Sequence, residues 1–239
     1  MTRAVVFDLD GTLIDSAPDI HAAANRLMER HGFAPFSPQD TRSFIGNGVP
    51  HFIACCLRAR DKAQDAELHT QLVAEFMTEY ETSVTLTKVY PGVTEALSRL
   101  TSEGCVLGLC TNKPQGPARA VLRHLGLVGY FPVIVGGDSL PVRKPDPAPL
   151  RAVIEAMGAQ YVIYVGDSEI DAETAERAGI PFALYTEGYR KTAVTEIPHA
   201  HAFANFADLP GIVTLLMSRQ GQTAKATDAL SKRSGNIYP

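Results

Sequence analysis

No apolar run in this 239-residue chain is long enough to span a bilayer. No basic block occurs either. The 22 Lys and Arg stand against 26 Asp and Glu, a net charge of -4, which argues against nucleic acid as a partner. Cysteine is sparse. Cys55, Cys56, Cys105 and Cys110 have no zinc-type spacing, so free thiols in a reducing cytosol are expected, not a disulfide frame. The first residues enter a strand pattern at once, with no signal-peptide pattern. A cytoplasmic protein, not bound to a membrane, is expected. The 45% hydrophobic content is enough for a sizeable core in one or two domains.

From residue 91 onward, strand and helix patterns alternate. Helices are expected at 91–102, 114–125, 147–157 and 168–178, with Pro near starts and Gly past ends. Between them lie apolar strands at 105–110, 132–135, 161–165 and 181–185, then a short edge strand at 202–206 preceded by a loop holding His199 and His201. Near-continuous apolar strands joined by helices imply an α/β fold with a parallel sheet covered on both faces. Residues 16–88 read as helical throughout, at 18–28, 38–45, 49–59 and 61–82, without a convincing strand. An all-helical cap inserted after the first strand is therefore expected at 16–88. The α/β core takes 1–15 and 89–217, and 218–239 reads as a polar, patternless tail.

Four segments carry polar groups at strand ends, where a purely structural strand has no need of them. Asp8 and Asp10 follow the apolar run Ala4-Val5-Val6-Phe7; Thr111-Asn112-Lys113 follow strand 105–110; Lys144-Pro145-Asp146-Pro147 open a helix; Gly166-Asp167-Ser168-Glu169-Ile170-Asp171 follow strand 161–165. If the strands are parallel, all four meet at the carboxyl edge of the sheet, where open α/β sheets bind ligands. Each alone has an ordinary explanation as a turn, a helix cap or a loop. Together they suit phosphoryl transfer, which needs a cation, donors for the phosphoryl oxygens and an in-line nucleophile. Asp8 and Asp167 are hard oxygen ligands suited to Mg²⁺. Lys144 supplies a second positive charge. The Thr111 hydroxyl and the backbone N–H groups of Leu9, Asp10 and Asn112 can donate to phosphoryl oxygens. Asp8 can attack phosphorus to form an aspartyl phosphate. Asp10 can protonate the leaving oxygen and then activate water.

These four segments resemble the motifs of the haloacid dehalogenase-like superfamily. The resemblance covers residues 3 to about 217. It implies a Rossmann-like core with a helical cap and casts Asp8 as nucleophile, Asp10 as acid/base, Thr111 with Asn112 as phosphate anchor and Lys144 as the third motif. It also implies Mg²⁺ ligation by the carboxylates of Asp8 and Asp167 and the carbonyl of Asp10, with Asp171 as a water-linked or outer carboxylate. Within the superfamily, Ser43-Phe44-Ile45-Gly46-Asn47-Gly48, Thr111-Asn112-Lys113-Pro114 and Gly136-Gly137-Asp138 are most similar to the phosphoglycolate phosphatase family. That implies a small phosphorylated substrate, 2-phosphoglycolate, with the backbone of Gly46, Asn47 and Gly48 approaching it over the metal. A monomer or homodimer is expected.

Other activities stay open on the sequence. One is a different phosphomonoesterase or pyrophosphatase of the superfamily; another is a sugar-phosphate mutase. Residues 43–50 hold no Lys or Arg, which counts against the mutase, and the intact Asp8, Asp10, Lys144 and Asp167 count against a non-catalytic binding module. Arg42 is expected as an exposed helix arginine rather than a substrate ligand.

Overall fold

The computed structural model describes residues 2–234. Strand β1 (Arg3–Phe7) is the centre of the sheet and is buried on both faces. Its odd-numbered residues Val5 and Phe7 enter one apolar cluster, and its even-numbered residues Ala4 and Val6 enter another. This alternation is the two-residue period of a strand, and covering both faces explains the unbroken apolar run. After β1 the chain makes a two-residue strand, β2 (Ile14–Asp15), and then four helices: α1 (Ala17–Arg30), α2 (Pro38–Phe44), α3 (Val49–Arg58) and α4 (Ala66–Tyr80). It returns through β3 (Lys88–Val89), which pairs antiparallel with β2 as Ile14↔Val89 and Asp15↔Lys88. This two-stranded neck was not anticipated. Two residues per strand are too few to print a period.

The remaining chain alternates α5 (Val93–Ser102), β4 (Cys105–Cys110), α6 (Gln115–His124), β5 (Val133–Val135), α7 (Ala148–Ala156), β6 (Tyr161–Gly166), α8 (Glu169–Ala178), β7 (Phe182–Tyr185), β8 (His201–Phe203) and α9 (Leu209–Ser234). The strands form one six-stranded parallel sheet in the order β5-β4-β1-β6-β7-β8. Helices α5, α6 and α9 pack on the Val5–Phe7 face, and α7 and α8 on the Ala4–Val6 face. The strand order reverses at β1, with β4 on one side and β6 on the other. Such a switch point opens a crevice beyond the carboxyl ends of the strands. Register fixes which residues reach it: Phe7 lies level with Leu109 of β4 and Val165 of β6.

The four inserted helices have their own apolar cluster, which includes Leu27, Met28, Phe52, Ile53, Leu72 and Phe76. Asp19 of α1, buried, accepts hydrogen bonds from the backbone of Leu86 and Thr87 and from the Thr87 hydroxyl (2.6–3.1 Å). It thereby fastens the returning chain to the first helix. The expected edge strand 202–206 is His201–Phe203, so His201 lies in the strand and not in the loop before it. Two further boundaries differ from the sequence reading. Helix α4 begins at Ala66, not 61, because Asp61 takes a left-handed φ of 56° and Asp65 caps a fresh start by accepting from Leu68 N–H at 2.9 Å. The polar segment from 218, expected as a patternless tail, continues α9 to Ser234, and Gln220 donates to the carbonyl of Val162. Residues 235–239 lie outside the described residues.

Candidate active site

Asp8, Thr111 and Asp167 each stand one residue past the end of a central strand, so the register of β1, β4 and β6 brings them to one edge. Asp8, Asp10, Thr111, Asn112, Gly46 and Gly48 line one cavity between the sheet edge and the inserted helices. Lys144, Asp167 and Asp171 lie outside this lining and cluster around Asp8, which is the floor they share with it. Leu9 and Asn47, expected at the substrate, are likewise not part of the lining. The Leu9 side chain is fully buried in the core, and only its backbone faces the turn. Asn47 turns its carbonyl toward Arg143 at 3.4 Å.

The floor is a chain of paired charges. Lys144, after Arg143 and before a cis peptide to Pro145, donates to Asp171 Oδ1 at 2.6 Å and to the Tyr164 hydroxyl at 2.9 Å. Its Nζ also lies 2.9 Å from Asp8 Oδ1, as a charge partner outside hydrogen-bond geometry. Burial works against this ammonium, yet Asp171 and Asp8 hold its pKa above the ordinary lysine range. Asp171 has both oxygens engaged: Oδ1 accepts from Lys144 and Tyr164, and Oδ2 accepts from the Ser168 hydroxyl at 2.6 Å and from two backbone N–H groups. Burial opposes its charge, but Lys144 and the hydrogen bonds hold its pKa below the usual carboxylate range. Asp171 also forms the capping box of α8 with Ser168. One side chain thus starts a helix and anchors the lysine.

Asp8 and Asp167 behave oppositely. Burial raises the Asp8 carboxyl to about 7; Lys144 offsets part of this, and the Asp171 charge adds to it. Burial, then Asp171 and Asp8, push Asp167 well above its ordinary value. Asp167 is held by the Thr12 hydroxyl at 2.8 Å and by the Tyr189 N–H at 2.5 Å. The turn after Asp10 passes so close that a Cβ on Gly11, whose φ is +89°, would stand 2.5 Å from Asp167 Oδ2. Carboxylate oxygens of Asp8, Asp167 and Asp171 lie within 4.8 Å of one another, all buried. Asp8 Oδ1 meets the Lys144 ammonium and no neutral donor. Clustered hard oxygens with no Cys or His among them fit Mg²⁺.

Asp10 has different neighbours. Its Oδ1 accepts from the Ser16 hydroxyl at 2.5 Å and lies 3.3 Å from Lys113 Nζ. Asn112 is spent on the scaffold: its Nδ2 donates to the carbonyls of Gly46 and Lys144, both at 3.0 Å. Its amide therefore ties the glycine loop to the lysine loop, while its Oδ1 stays without a donor. Sequence reasoning gave no role to Lys113, Tyr80, Tyr164 or Tyr189. For Lys113 a signal existed: two residues past Thr111 along an extended chain, it shares that residue's side. Arg42 is exposed as expected, but it donates to Gly188 O at 2.7 Å and stacks on Tyr189, joining the inserted helices to the core.

A family model described as haloacid dehalogenase-like hydrolase matches residues 5–185. The chain belongs to the haloacid dehalogenase-like hydrolase family. A phosphoglycolate phosphatase from a Cereibacter sphaeroides strain is 53% identical over 215 residues, 90% of this chain and 99% of that protein. One from Rhodobacter capsulatus is 46% identical over 213 residues, 89% of this chain and 97% of that protein. A crystal structure of a predicted phosphoglycolate phosphatase from Haemophilus somnus superposes with a TM-score of 0.82 at 28% identity, covering 88% of this chain and 97% of that one. This haloacid dehalogenase-like chain is a phosphoric monoester hydrolase. Among the described residues, no helix is long and apolar enough to cross a membrane, and all four cysteines are free.

Proposed function

We propose that the chain hydrolyses 2-phosphoglycolate to glycolate and phosphate, with Mg²⁺ and through an aspartyl phosphate on Asp8. The observation that carries this reading is the pairing at one cavity of the Asp8 carboxylate, beside the Lys144 ammonium and the Asp167–Asp171 pair, with a second carboxylate, Asp10, two residues on and turned to other partners. Asp8 is suited to attack and metal, and Asp10 to proton traffic. The names of the relatives support the substrate.

Asp8 attacks phosphorus, and the bond to the glycolate oxygen breaks as Asp10 delivers a proton to that oxygen. Asp10 then takes a proton from water as the aspartyl phosphate is hydrolysed. The Thr111 hydroxyl, buried at the cavity wall, orients the phosphoryl oxygens, and Lys144 balances charge beside Asp8. Asp8, Asp167 and the Asp10 carbonyl would hold the cation; Asp171, with both oxygens engaged by protein donors, supports Lys144 and the loop instead. Mg²⁺ when bound supplies the charge that neutralises phosphoryl oxygens. Residues 16–88 form the cap that closes the cavity and carries its specificity, residues 1–15 and 89–217 the catalytic core. The setting is the cytoplasm, consistent with four free thiols.

The test is a substrate panel with Mg²⁺, comparing 2-phosphoglycolate with sugar phosphates, nucleotides and pyrophosphate by kcat/KM. A preference of roughly 10²-fold or more for 2-phosphoglycolate is expected from a site built around one substrate's polar groups. Comparable rates across the panel make the protein a generalist phosphatase.

A further inference from the structure

The cavity has an uneven lining. Its inserted-helix side offers Ile20, Ile45, Val49, Phe52 and Phe76, all apolar. Its core side holds two carboxylates, and the Asn112 amide is already committed to two carbonyls. Lys113 is the one cation among the cavity-lining residues. Lys144 is held below, between Asp8 and Asp171.

Lys113 is 6% exposed, and three contacts hold its ammonium. Its Nζ is 3.3 Å from Asp10 Oδ1, donates to the Tyr80 hydroxyl, and stands 3.8 Å from the centre of the Tyr80 ring. Tyr80 is the last residue of α4, so the inserted helices also hold the lysine. The Asp10 oxygen facing it is shared with Ser16. Asp10, and beyond it Asp19 and Asp8, offset the burial of this ammonium, and as the one cation of the lining it is the point of the cavity best able to receive a further anion.

We propose that Lys113, positioned by Tyr80, receives a carboxylate at the non-phosphoryl end of the substrate and so confines the site to short phosphomonoesters with a second anionic group. This rests on the phosphatase reading above and names the residue that selects the acid. Apolar walls offer a sugar's hydroxyls no partners, and hydroxyls left unpaired in such a wall select against a polyol. A two-carbon acid presents its phosphoryl group to Asp8 and its carboxylate to the neighbouring Lys113, with its methylene toward Phe52 and Phe76.

The experiment compares 2-phosphoglycolate with the neutral ester of the same length, 2-hydroxyethyl phosphate, on the wild type, Lys113→Met and Tyr80→Phe. Wild type prefers the acid. Lys113→Met loses roughly 10²-fold or more in kcat/KM on the acid, chiefly through KM, and less than about tenfold on the neutral ester, so the preference collapses. Tyr80→Phe, which keeps the ring, raises KM for the acid alone. Equal losses on both esters in either folded variant overturn the proposal while leaving the phosphatase reading intact. A wild type that turns over both esters equally overturns the proposal and the 2-phosphoglycolate assignment together, and one that turns over neither overturns the phosphatase reading as well. Thermal melts establish which variants fold; should Lys113→Met not fold, Tyr80→Phe decides.

Discussion

Asp8 and Asp10 are separated by one residue and live in different electrostatic surroundings. Asp8 faces Lys144 and the Asp167–Asp171 pair, and Asp10 faces Ser16 and Lys113. The proposed division of labour follows from these neighbours. Asp8→Asn removes the attacking oxygen and is expected to abolish hydrolysis while leaving the melting temperature unchanged or raised, since a buried carboxyl is replaced by an amide; substantial turnover sinks the nucleophile assignment. Asp10→Asn leaves the backbone carbonyl in place. It is expected to keep Mg²⁺ binding, measured by calorimetry, while turnover falls by roughly 10²–10⁴; a near-normal rate refutes the proton-transfer role. Both residues were legible in the sequence because each is written directly after an apolar strand. Lys113 was written there too, but its meaning was not. Its partners are 33 and 103 residues away; the pairing of β1 with β4 brings Asp10 to it, and the end of α4 brings Tyr80. The spent amide of Asn112 was invisible for the same reason.

Helix α1 illustrates what an element owes to its surroundings. Its start has Pro18 in the first turn, but no side-chain cap from Ser16, whose hydroxyl is turned to Asp10. The missing cap comes from 173 residues away. The Tyr189 hydroxyl accepts from Ser16 N–H at 2.8 Å and Ala17 N–H at 3.0 Å, and donates to Asp15 at 2.7 Å. The Tyr189 backbone N–H meanwhile holds Asp167. Tyr189→Phe leaves the ring and this backbone bond but strands two helix N–H groups, one of them buried. A loss of about 1–3 kcal/mol in unfolding free energy is expected. Urea titration with an unchanged slope checks it; a loss under about 0.5 kcal/mol makes the hydroxyl ornamental. The alternation of strands and helices after residue 91 was readable because each element is long enough to print its period and is bounded by Pro or Gly. The β2–β3 neck, the Tyr189 cap and the later start of α4 were not, since two-residue strands, a distant hydroxyl and a single left-handed aspartate leave no periodic trace.

At the scale of the molecule, parallel strands in matched register deliver three buried carboxylates to one edge, with Lys144 as the cation among them. The fold therefore builds a strongly acidic site, and on the proposed Mg²⁺ reading its stability depends on pH and on the ion together. Asp8 is raised from 3.8 to about 7, and Asp167 is raised as well, both chiefly by burial. The folded protein without the ion keeps protons there that the unfolded chain releases near 3.8. Its stability from this source is full below that value and is lost as the pH rises through about 7. Asp171, lowered mainly by Lys144 against the cost of burial, acts in the reverse sense, and only in acid, as the pH falls through its own lowered value. In the proposed mechanism Mg²⁺ would take the place of the protons on Asp8 and Asp167, so binding would compete with protonation and strengthen as the pH rises. The gain in melting temperature on adding saturating Mg²⁺ is therefore expected to be larger at about pH 8 than at about pH 5.5. Asp8→Asn, which cannot take up that proton, is expected to flatten the difference. A gain that is equal at both values, or larger in acid, means that these carboxylates do not hold the ion.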